Sequence, residues 1–569
     1  MASLMENKQI NARRIMLYEL LFCVVIASIC KVFIGIDCDE MYIVALGARL
    51  LQGDHMMKEM WELHQTSALP VTFFMWIWKS ITGGYTGVFV FLRVITGLIQ
   101  AAVGFIAYKI LKPYYKSADL VAIFLMAMLP RTTQNLEYGL LSVLSFMVSL
   151  LILFWISKQK FENKKMFYCS HILAAFFFSL AVLSYPTMII VVLFILPFFI
   201  KYDKKGMLTF GITCIVLAGL FTIYILMNVS PDELMWNIFN GILADGSHKN
   251  KGILAVIKRF VPKKENMIQG ILTLACSAIC YFIVKYVLKL KVRFVYLICL
   301  ASSLILIGLN ITGIRPSGPL GFQIRYLLIV LFGLQLFIWT CDKDETNEIF
   351  WLFYFVGVGI FVASVIGSNL TCIENASFAI PCLVAIILAQ EKELVDSGKN
   401  QLFGKWISFS AICVLIFSFI FIKGYFVRIS GTSPANIFEK REQMTEGPLK
   451  FVSVYPDEKE QMLAGEMDMK NNLKNDDIPL ILTHDGIWYL NCEQHFSTAN
   501  CISTPRHDNQ WVTYYRDREY VKPTILVIDK KKIDVDELFE EKAFGQYLRN
   551  YIDEETAVET DNMYFIRFK

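Results

Sequence analysis

The chain has 569 residues, of which 56% are hydrophobic and 14% aromatic, and its mean hydropathy is +0.50. Soluble domains average about 45–50% apolar residues, so the composition excludes an ordinary soluble protein and indicates a polytopic membrane protein. The net charge of +4 is uneven, at about +12 before residue 424 and about −8 after it. The basic excess therefore belongs to the membrane part and does not indicate nucleic-acid binding.

The first apolar run, at about 15–36, follows Lys8, Arg13 and Arg14. It is longer than the hydrophobic region of a signal peptide and lacks a small-residue cleavage site, so it predicts an uncleaved first helix. Later apolar runs bring the expected number of spans to about thirteen. They lie near 86–108, 118–130, 138–157, 169–183, 187–200, 207–227, 268–288, 293–312, 325–341, 349–366, 377–390 and 406–423.

Two acidic clusters follow the end of the first helix. Asp37, Asp39 and Glu40 follow it directly, and Glu62 and His64 come about twenty residues later. A carboxylate costs about 2.5–3.5 kcal/mol at the middle of a bilayer. The clusters therefore predict a catalytic or ion-binding cleft at the membrane face.

The segment 69–82 is apolar but has only fourteen residues before Gly83 and Gly84. We expect it to be a juxtamembrane or re-entrant helix. The basic connectors then all lie inside, as the positive-inside rule requires. The first loop, 37–68, and the tail then share the extracytoplasmic face of the cell membrane. If 69–82 crosses the membrane, every later loop changes side.

The tail, 424–569, alternates strand-like and helix-like stretches and predicts a soluble extracytoplasmic α/β domain after the membrane domain, 1–423. Cys492 and Cys501 are possible disulfide partners on an oxidising side of the membrane. The tail also contains three histidines and an aspartate without a nucleophile motif, which predicts a surface or structural role: His484, His495, His507 and Asp508.

The first loop combines the Asp39-Glu40 pair, the amphipathic segment 41–54 and the acidic patch with His64 before an apolar helix. In these features it resembles the first loop of the C-type glycosyltransferases, most closely the protein O-mannosyltransferase and aminoarabinose transferase branch. The resemblance implies a polyprenyl-phosphate-linked sugar donor and an active site at the outer membrane face. The acceptor would be a glycan, a lipid or a protein.

The resemblance also implies roles for single residues. Asp39 corresponds to the residue held to be the general base or to orient the acceptor, with Glu40 beside it and Asp37 as the next candidate. The family's Lys/His-Pro-Pro signature is replaced by His64-Gln65-Thr66-Ser67-Ala68, so His64 and Gln65 are its proposed counterparts. With Glu62, they are expected to bind substrate.

Arginine is the residue best suited to hold the leaving phosphate, because its planar fork can bind two oxygens. Arg131, Arg315 and Arg325 are the candidates, and Arg325 is favoured because Arg325-Tyr326 is similar to an Arg-Tyr pair in the family. Snorkelling at a helix end is the alternative role for each arginine. A divalent metal held by Asp39, Glu62 and His64 is a further hypothesis.

Two other functions remain open from the sequence. A polysaccharide polymerase or ligase is also polytopic, but it usually places its large functional loop late in the chain. A transporter is expected to show discontinuous helices or an ionisable residue near mid-membrane. The leading prediction is a membrane glycosyltransferase that uses a polyprenyl-phosphate sugar.

Overall fold

The computed structural model describes residues 2–131, 134–244, 252–261, 264–290, 292–311, 330–336, 348–368, 370–390, 399–428, 434–491, 494–502, 507–518, 520 and 522–569. The described helices of the membrane part are α1 (Ala2–Phe33), α2 (Cys38–Gln52), α3 (Ala68–Thr82), α4 (Val88–Leu111), α5 (Ala118–Ala127), α6 (Tyr138–Lys158), α7 (Lys164–Ser184), α8 (Val192–Tyr202), α9 (Lys204–Leu226), α10 (Pro231–Trp236), α11 (Ile253–Arg259), α12 (Lys264–Phe282), α13 (Phe294–Ile311), α14 (Val356–Gly367), α15 (Cys372–Asn375), α16 (Ile380–Ala389) and α17 (Lys399–Tyr425). Short 3₁₀ or π turns extend several of them, as at Pro186–Val191, Ile283–Val287 and Phe350–Phe355.

Eight described helices are long and apolar enough to cross a membrane, and the number rises to nine if the bent pair Cys372–Phe378 and Ile380–Ala389 forms one span. The prediction of a polytopic membrane protein is therefore confirmed. The count of about thirteen is not confirmed. Three predicted spans correspond to shorter apolar helices, Ala118–Ala127, Pro186–Tyr202 and Phe294–Gly308, and most of 325–341 lies outside the described residues.

Helix α6 is the centre of the bundle. In its most apolar stretch 89% of the residues are buried, which is the pattern of a helix with protein on every side. Two serine hydroxyls join it to α7, Ser142 donating to the carbonyl of Ala181 (3.1 Å) and Ser149 to that of Ala174 (2.9 Å). Such hydroxyl contacts replace the hydrophobic driving force that helices lack inside lipid.

Helix α3 corresponds to the short segment 69–82. It contains 15 residues, and at 1.5 Å per residue it is about 22 Å long, whereas the hydrocarbon core is about 30 Å thick. Its length alone falls short of a full crossing. Whether it crosses the membrane remains a prediction.

The tail contains helices α18 (Pro456–Asn472), α19 (Asp508–Asp517), α20 (Val535–Glu541) and α21 (Ala543–Leu548). Its strands are β1 (Phe426–Arg428), β2 (Pro434–Asn436), β3 (Glu442–Gln443), β4 (Ser453–Val454), β5 (Pro479–Leu482), β6 (Ile525–Asp529), β7 (Ile552–Glu559) and β8 (Met563–Phe568). The main sheet has the order β5-β6-β8-β7, in which β5 and β6 are parallel and the other pairs antiparallel. The predicted mixture of helices and strands is thus present.

The first loop and the tail are in direct contact. The backbone amide of Trp61 donates to the carbonyl of Ala499 (3.0 Å), and a Cβ atom on Gly486 would lie 2.7 Å from the carbonyl oxygen of Met41. The tail therefore packs closely on α2, and Glu40 to Arg49 are buried although the segment is amphipathic. Because the two segments touch, they lie on the same side of the bundle.

Candidate functional site

The site begins where α1 ends and α2 starts. Asp37 is the N-cap of α2, and its carboxylate accepts a hydrogen bond from the backbone amide of Asp39 (2.8 Å). Asp39 and Glu40 occupy the first turn, where the unpaired amides and the helix dipole favour negative charge. Local helix chemistry therefore explains why carboxylates are tolerated at this position.

Glu40 is buried and forms a two-pronged ion pair with Arg93 of α4. The guanidinium Nε and Nη2 lie 2.7 and 2.6 Å from the two carboxylate oxygens. Asn135 donates to the same carboxylate (3.3 Å), and Arg93 also binds the carbonyls of Val32 and Gly35. These contacts fasten the start of α2 to the bundle and leave Glu40 0% exposed.

Sequence reasoning did not select Arg93. A signal was present, because it is a lone arginine within the apolar run 86–108, and ionisable residues inside a span are usually paired or functional. What the sequence lacked was the identity of its partner, which lies 53 residues away.

Asp39 is the accessible member of the cluster. Its carboxylate forms an ion pair with Arg131, and the two side chains are 20% and 13% exposed. The Arg131 guanidinium also lies over the ring of Tyr138, 4.6 Å from its centroid. The structure therefore brings together two predicted site residues, Asp39 and Arg131, that are 92 positions apart in the chain.

A row of aromatic side chains lies beside this ion pair. The ring of His64 stacks on Tyr138, with centroids 4.0 Å apart and an interplanar angle of 4°, and lies 5.1 Å from Tyr185. Tyr185 continues the row towards Phe378, at 5.9 Å. His64 thus contacts aromatic rings that neighbour Arg131, and these rings give the site an apolar side.

Glu137 directly precedes Tyr138 and is the N-cap of α6. Its carboxylate accepts hydrogen bonds from the amides of Gly139 (2.6 Å) and Leu140 (2.7 Å). Burial raises the pKa of Glu137 to about 7, while Arg131 and the two amides oppose the shift. A carboxyl group that titrates near neutral pH therefore lies close to Arg131.

Glu62 and Gln65 contact other parts of the protein. The Glu62 carboxylate accepts hydrogen bonds from the Tyr42 hydroxyl (3.0 Å) and from the backbone amide of Cys501 in the tail. The Gln65 amide donates to the Glu62 carbonyl (2.7 Å) and accepts from the Met57 amide (2.7 Å). These hydrogen bonds of Glu62 and Gln65 stabilise the conformation of the first loop.

Three residues at the start of α2 could together hold a metal ion. Asp37, Cys38 and Asp39 each offer a ligand atom, and these atoms lie within 4.8 Å of one another; this is the one such group of three that the described part of the chain contains. Glu62 and His64, predicted as ligands with Asp39, do not belong to it. Two carboxylates fit magnesium, which often takes one or two of them together with substrate phosphates.

Several predicted residues lie outside the described part of the chain. Arg315 and Arg325 are among them, and so is Cys492. Cys501 is buried with a free thiol in the structure. The phosphate-binding role of the two arginines and the disulfide remain predictions.

The loop that follows α10 also packs against Trp61. The side-chain amide of Asn237 donates to the Met57 carbonyl (2.8 Å) and to the Tyr520 hydroxyl (2.9 Å). A Cβ atom on Gly241 would lie 2.7 Å from the Trp61 ring. The first loop, this loop and the tail therefore form one packed cap next to the Asp39 site.

No protein-family model and no curated protein matches the chain. Among solved structures it is similar to the archaeal oligosaccharyltransferase AglB from Archaeoglobus fulgidus in complex with an inhibitory peptide and a dolichol-phosphate, at 11% identity and a TM-score of 0.45 over 91% of this chain and 70% of that one. It is also similar to ArnT from Cupriavidus metallidurans bound to undecaprenyl phosphate, at 9% identity and a TM-score of 0.48 over 98% of both chains. At this distance no substrate and no residue role of this chain follows from these neighbours.

Proposed function

We propose that the chain is an integral-membrane glycosyltransferase that moves a sugar from a polyprenyl-phosphate donor to a hydroxyl group at the outer face of the cell membrane. The observation that carries the proposal is the Asp39–Arg131 ion pair. It joins an accessible carboxylate to a guanidinium at the end of the first helix. Transfer from a lipid phosphate needs both groups, a base for the acceptor and a cation for the leaving phosphate.

In the proposed reaction Asp39 accepts the proton of the acceptor hydroxyl. The acceptor oxygen forms a bond to the anomeric carbon, and the bond from that carbon to the phosphate oxygen breaks. The phosphate leaves with the electron pair, and Arg131 stabilises its charge. Glu40, held by Arg93, is a positioning residue that fixes the first turn of α2 and therefore the direction of Asp39.

Asp37 and Asp39 are the residues that would hold a divalent ion. Such an ion would neutralise charge on the donor phosphate. Activity measured after chelation with EDTA, and again after magnesium or manganese is restored, tests this part of the proposal. Unchanged activity after complete chelation would show that Arg131 and its neighbours suffice.

The central experiment uses purified protein in lipid nanodiscs. Polyprenyl-phosphate donors carrying radiolabelled glucose, mannose or galactose are incubated with membrane extracts as acceptors, and labelled product is counted. We expect transfer from at least one donor and loss of it in Asp39→Asn. Asp119→Asn is the matched control, because Asp119 also pairs with an arginine, Arg13, and is 21% exposed, but lies near the opposite end of α1 from Asp39. Equal transfer by the Asp39→Asn variant would contradict the assignment.

Sidedness is tested by cysteine labelling in intact cells. The side chains of Lys58 and Lys470 are 31% and 58% exposed, so Lys58→Cys and Lys470→Cys should both react with an impermeant reagent. Lys204→Cys, in a basic connector expected inside, should react only after the membrane is opened. The opposite pattern would place the site in the cytoplasm.

A further inference from the structure

The tail contains a cleft that is separate from the Asp39 site. It encloses about 620 Å³, a volume that includes its open mouth. Its lining includes four buried apolar side chains, Leu482, Trp511, Leu538 and Phe544. The same lining contains His484 and His507, two partly buried histidines for which the sequence predicts a surface or structural role.

The position of the cleft follows from the sheet. Strands β5 and β6 are parallel neighbours, so both carboxyl ends meet at one edge. His484 follows β5, Ile533 follows β6, and Trp511 comes from the first turns of α19. In open α/β sheets this edge is where ligands usually bind, because the loops diverge there and leave a crevice.

The charged groups around the cleft already have partners. The Asp508 carboxylate accepts hydrogen bonds from the backbone amides of Ala543 (2.8 Å) and Phe544 (2.7 Å). Lys542 pairs with Glu537 (2.5 Å), and Lys532 with Asp485 (3.1 Å). The lining contains both positive and negative side chains, and these already have hydrogen-bond or ion-pair partners. It therefore does not favour a strongly anionic or cationic ligand.

Trp511 and His484 are two further polar side chains of the lining. Trp511 is 2% exposed, and its indole Nε1 has no hydrogen-bond partner among the described residues. Burial lowers the pKa of His484, and Lys532 lowers it further against the opposing effect of Asp485. The imidazole is therefore neutral at pH 7 and offers one donor and one acceptor. A buried N–H without a partner is costly, so a ligand that accepts its hydrogen bond would be stabilised.

We propose that this cleft binds a saccharide. A sugar ring has apolar C–H faces, which fit Leu482, Ile533 and Phe544. Its hydroxyl groups can accept a hydrogen bond from the indole N–H of Trp511 and can donate to or accept from the imidazole of His484. It carries no charge, in agreement with the paired charges of the rim. The cleft would give the tail a glycan-holding role of its own, distinct from the transfer site at Asp39.

The test measures binding to the full-length protein in nanodiscs. The methyl glycosides of glucose, mannose, galactose and N-acetylglucosamine are titrated by saturation-transfer NMR. We expect at least one to bind in the millimolar range. Trp511→Phe keeps the aromatic packing but removes the N–H, so it should weaken binding about 3- to 10-fold, the effect of one hydrogen bond. Trp76→Phe, on the exposed side of α3, should leave binding unchanged.

A second variant locates the binding site. Ile533→Trp fills the cleft without removing a polar group and should abolish binding, whereas Asp39→Asn should leave it intact. Absence of binding for all four glycosides would overturn the proposal. Binding that survives Ile533→Trp but is lost in Asp39→Asn would place the sugar at the transfer site, and displacement by inorganic phosphate would show an anion site. None of these results depends on transfer activity, so the proposed function stands or fails separately.

Discussion

Adjacent carboxylates at the start of α2 should respond in opposite ways to removal of their charge. Glu40 and Arg93 have side chains that are 1% and 4% exposed, so Glu40→Gln leaves a buried guanidinium without its counter-charge. Breaking a buried pair in this way costs about 3–5 kcal/mol. The two carbonyls that Arg93 also binds place the expected loss of stability near the lower end.

Asp39→Asn removes a more exposed charge, for which the expected loss of stability is smaller. Its effect should appear in catalysis, because an amide cannot take the acceptor proton. Loss of a general base lowers turnover by about 10²- to 10⁴-fold. Asn keeps the size of the side chain and its place in the first turn of α2, so folding and insertion should be preserved.

The two variants are compared by thermal unfolding in detergent and by the transfer assay at a temperature where both are folded. Glu40→Gln should have the lower melting temperature and lose at most about 10²-fold in turnover, the effect of misplacing a catalytic group by about 1 Å. Asp39→Asn should melt close to wild type and lose transfer. If Asp39→Asn transfers sugar at the wild-type rate, Asp39 is not the base. If Glu40→Gln melts like wild type, the ion pair does not hold α2.

Three further predictions concern charge and pH. Arg131→Lys replaces a fork by a point charge; because Arg131 stabilises the charge of the leaving phosphate, the variant should lower kcat about tenfold with a smaller change in the donor KM, measured by donor titration. Burial raises the pKa of Glu137 to about 7, so the folded protein keeps a proton that the unfolded chain releases; stability should fall as pH rises from about 4.5 to about 7, and Glu137→Gln should remove this part of the pH dependence of the melting temperature. The hydrogen bond to Asp54 raises the pKa of His495, so this contact should stabilise the protein below about pH 6.5 and be lost as pH rises through the raised pKa. The melting-temperature difference between wild type and His495→Gln should therefore be larger at pH 6 than at pH 9, and an equal difference at both values would contradict the role of this contact.

Composition determined the membrane character of the chain, because long apolar runs cannot be stable in water and their lengths match a bilayer. The local sequence also located the carboxylates at the end of the first helix, since capping and helix-dipole effects depend only on neighbouring residues. The count of spans was less secure. Apolar runs of 10–17 residues have the same sequence pattern whether they cross a membrane, bend within it or fill the core of a bundle. Only the tertiary packing distinguishes these three cases.

The partners of the charged residues were decided by the tertiary structure. From the sequence, Asp39 and Glu40 are equivalent neighbours, but successive residues of a helix point about 100° apart. Glu40 therefore meets Arg93 in the interior, and Asp39 meets Arg131 near the surface. From the sequence, the tail histidines have only a predicted surface or structural role. The fold separated them, with His495 on Asp54 of the first loop and His484 and His507 in one cleft, because the parallel pairing of β5 and β6 brings distant loops to one edge of the sheet.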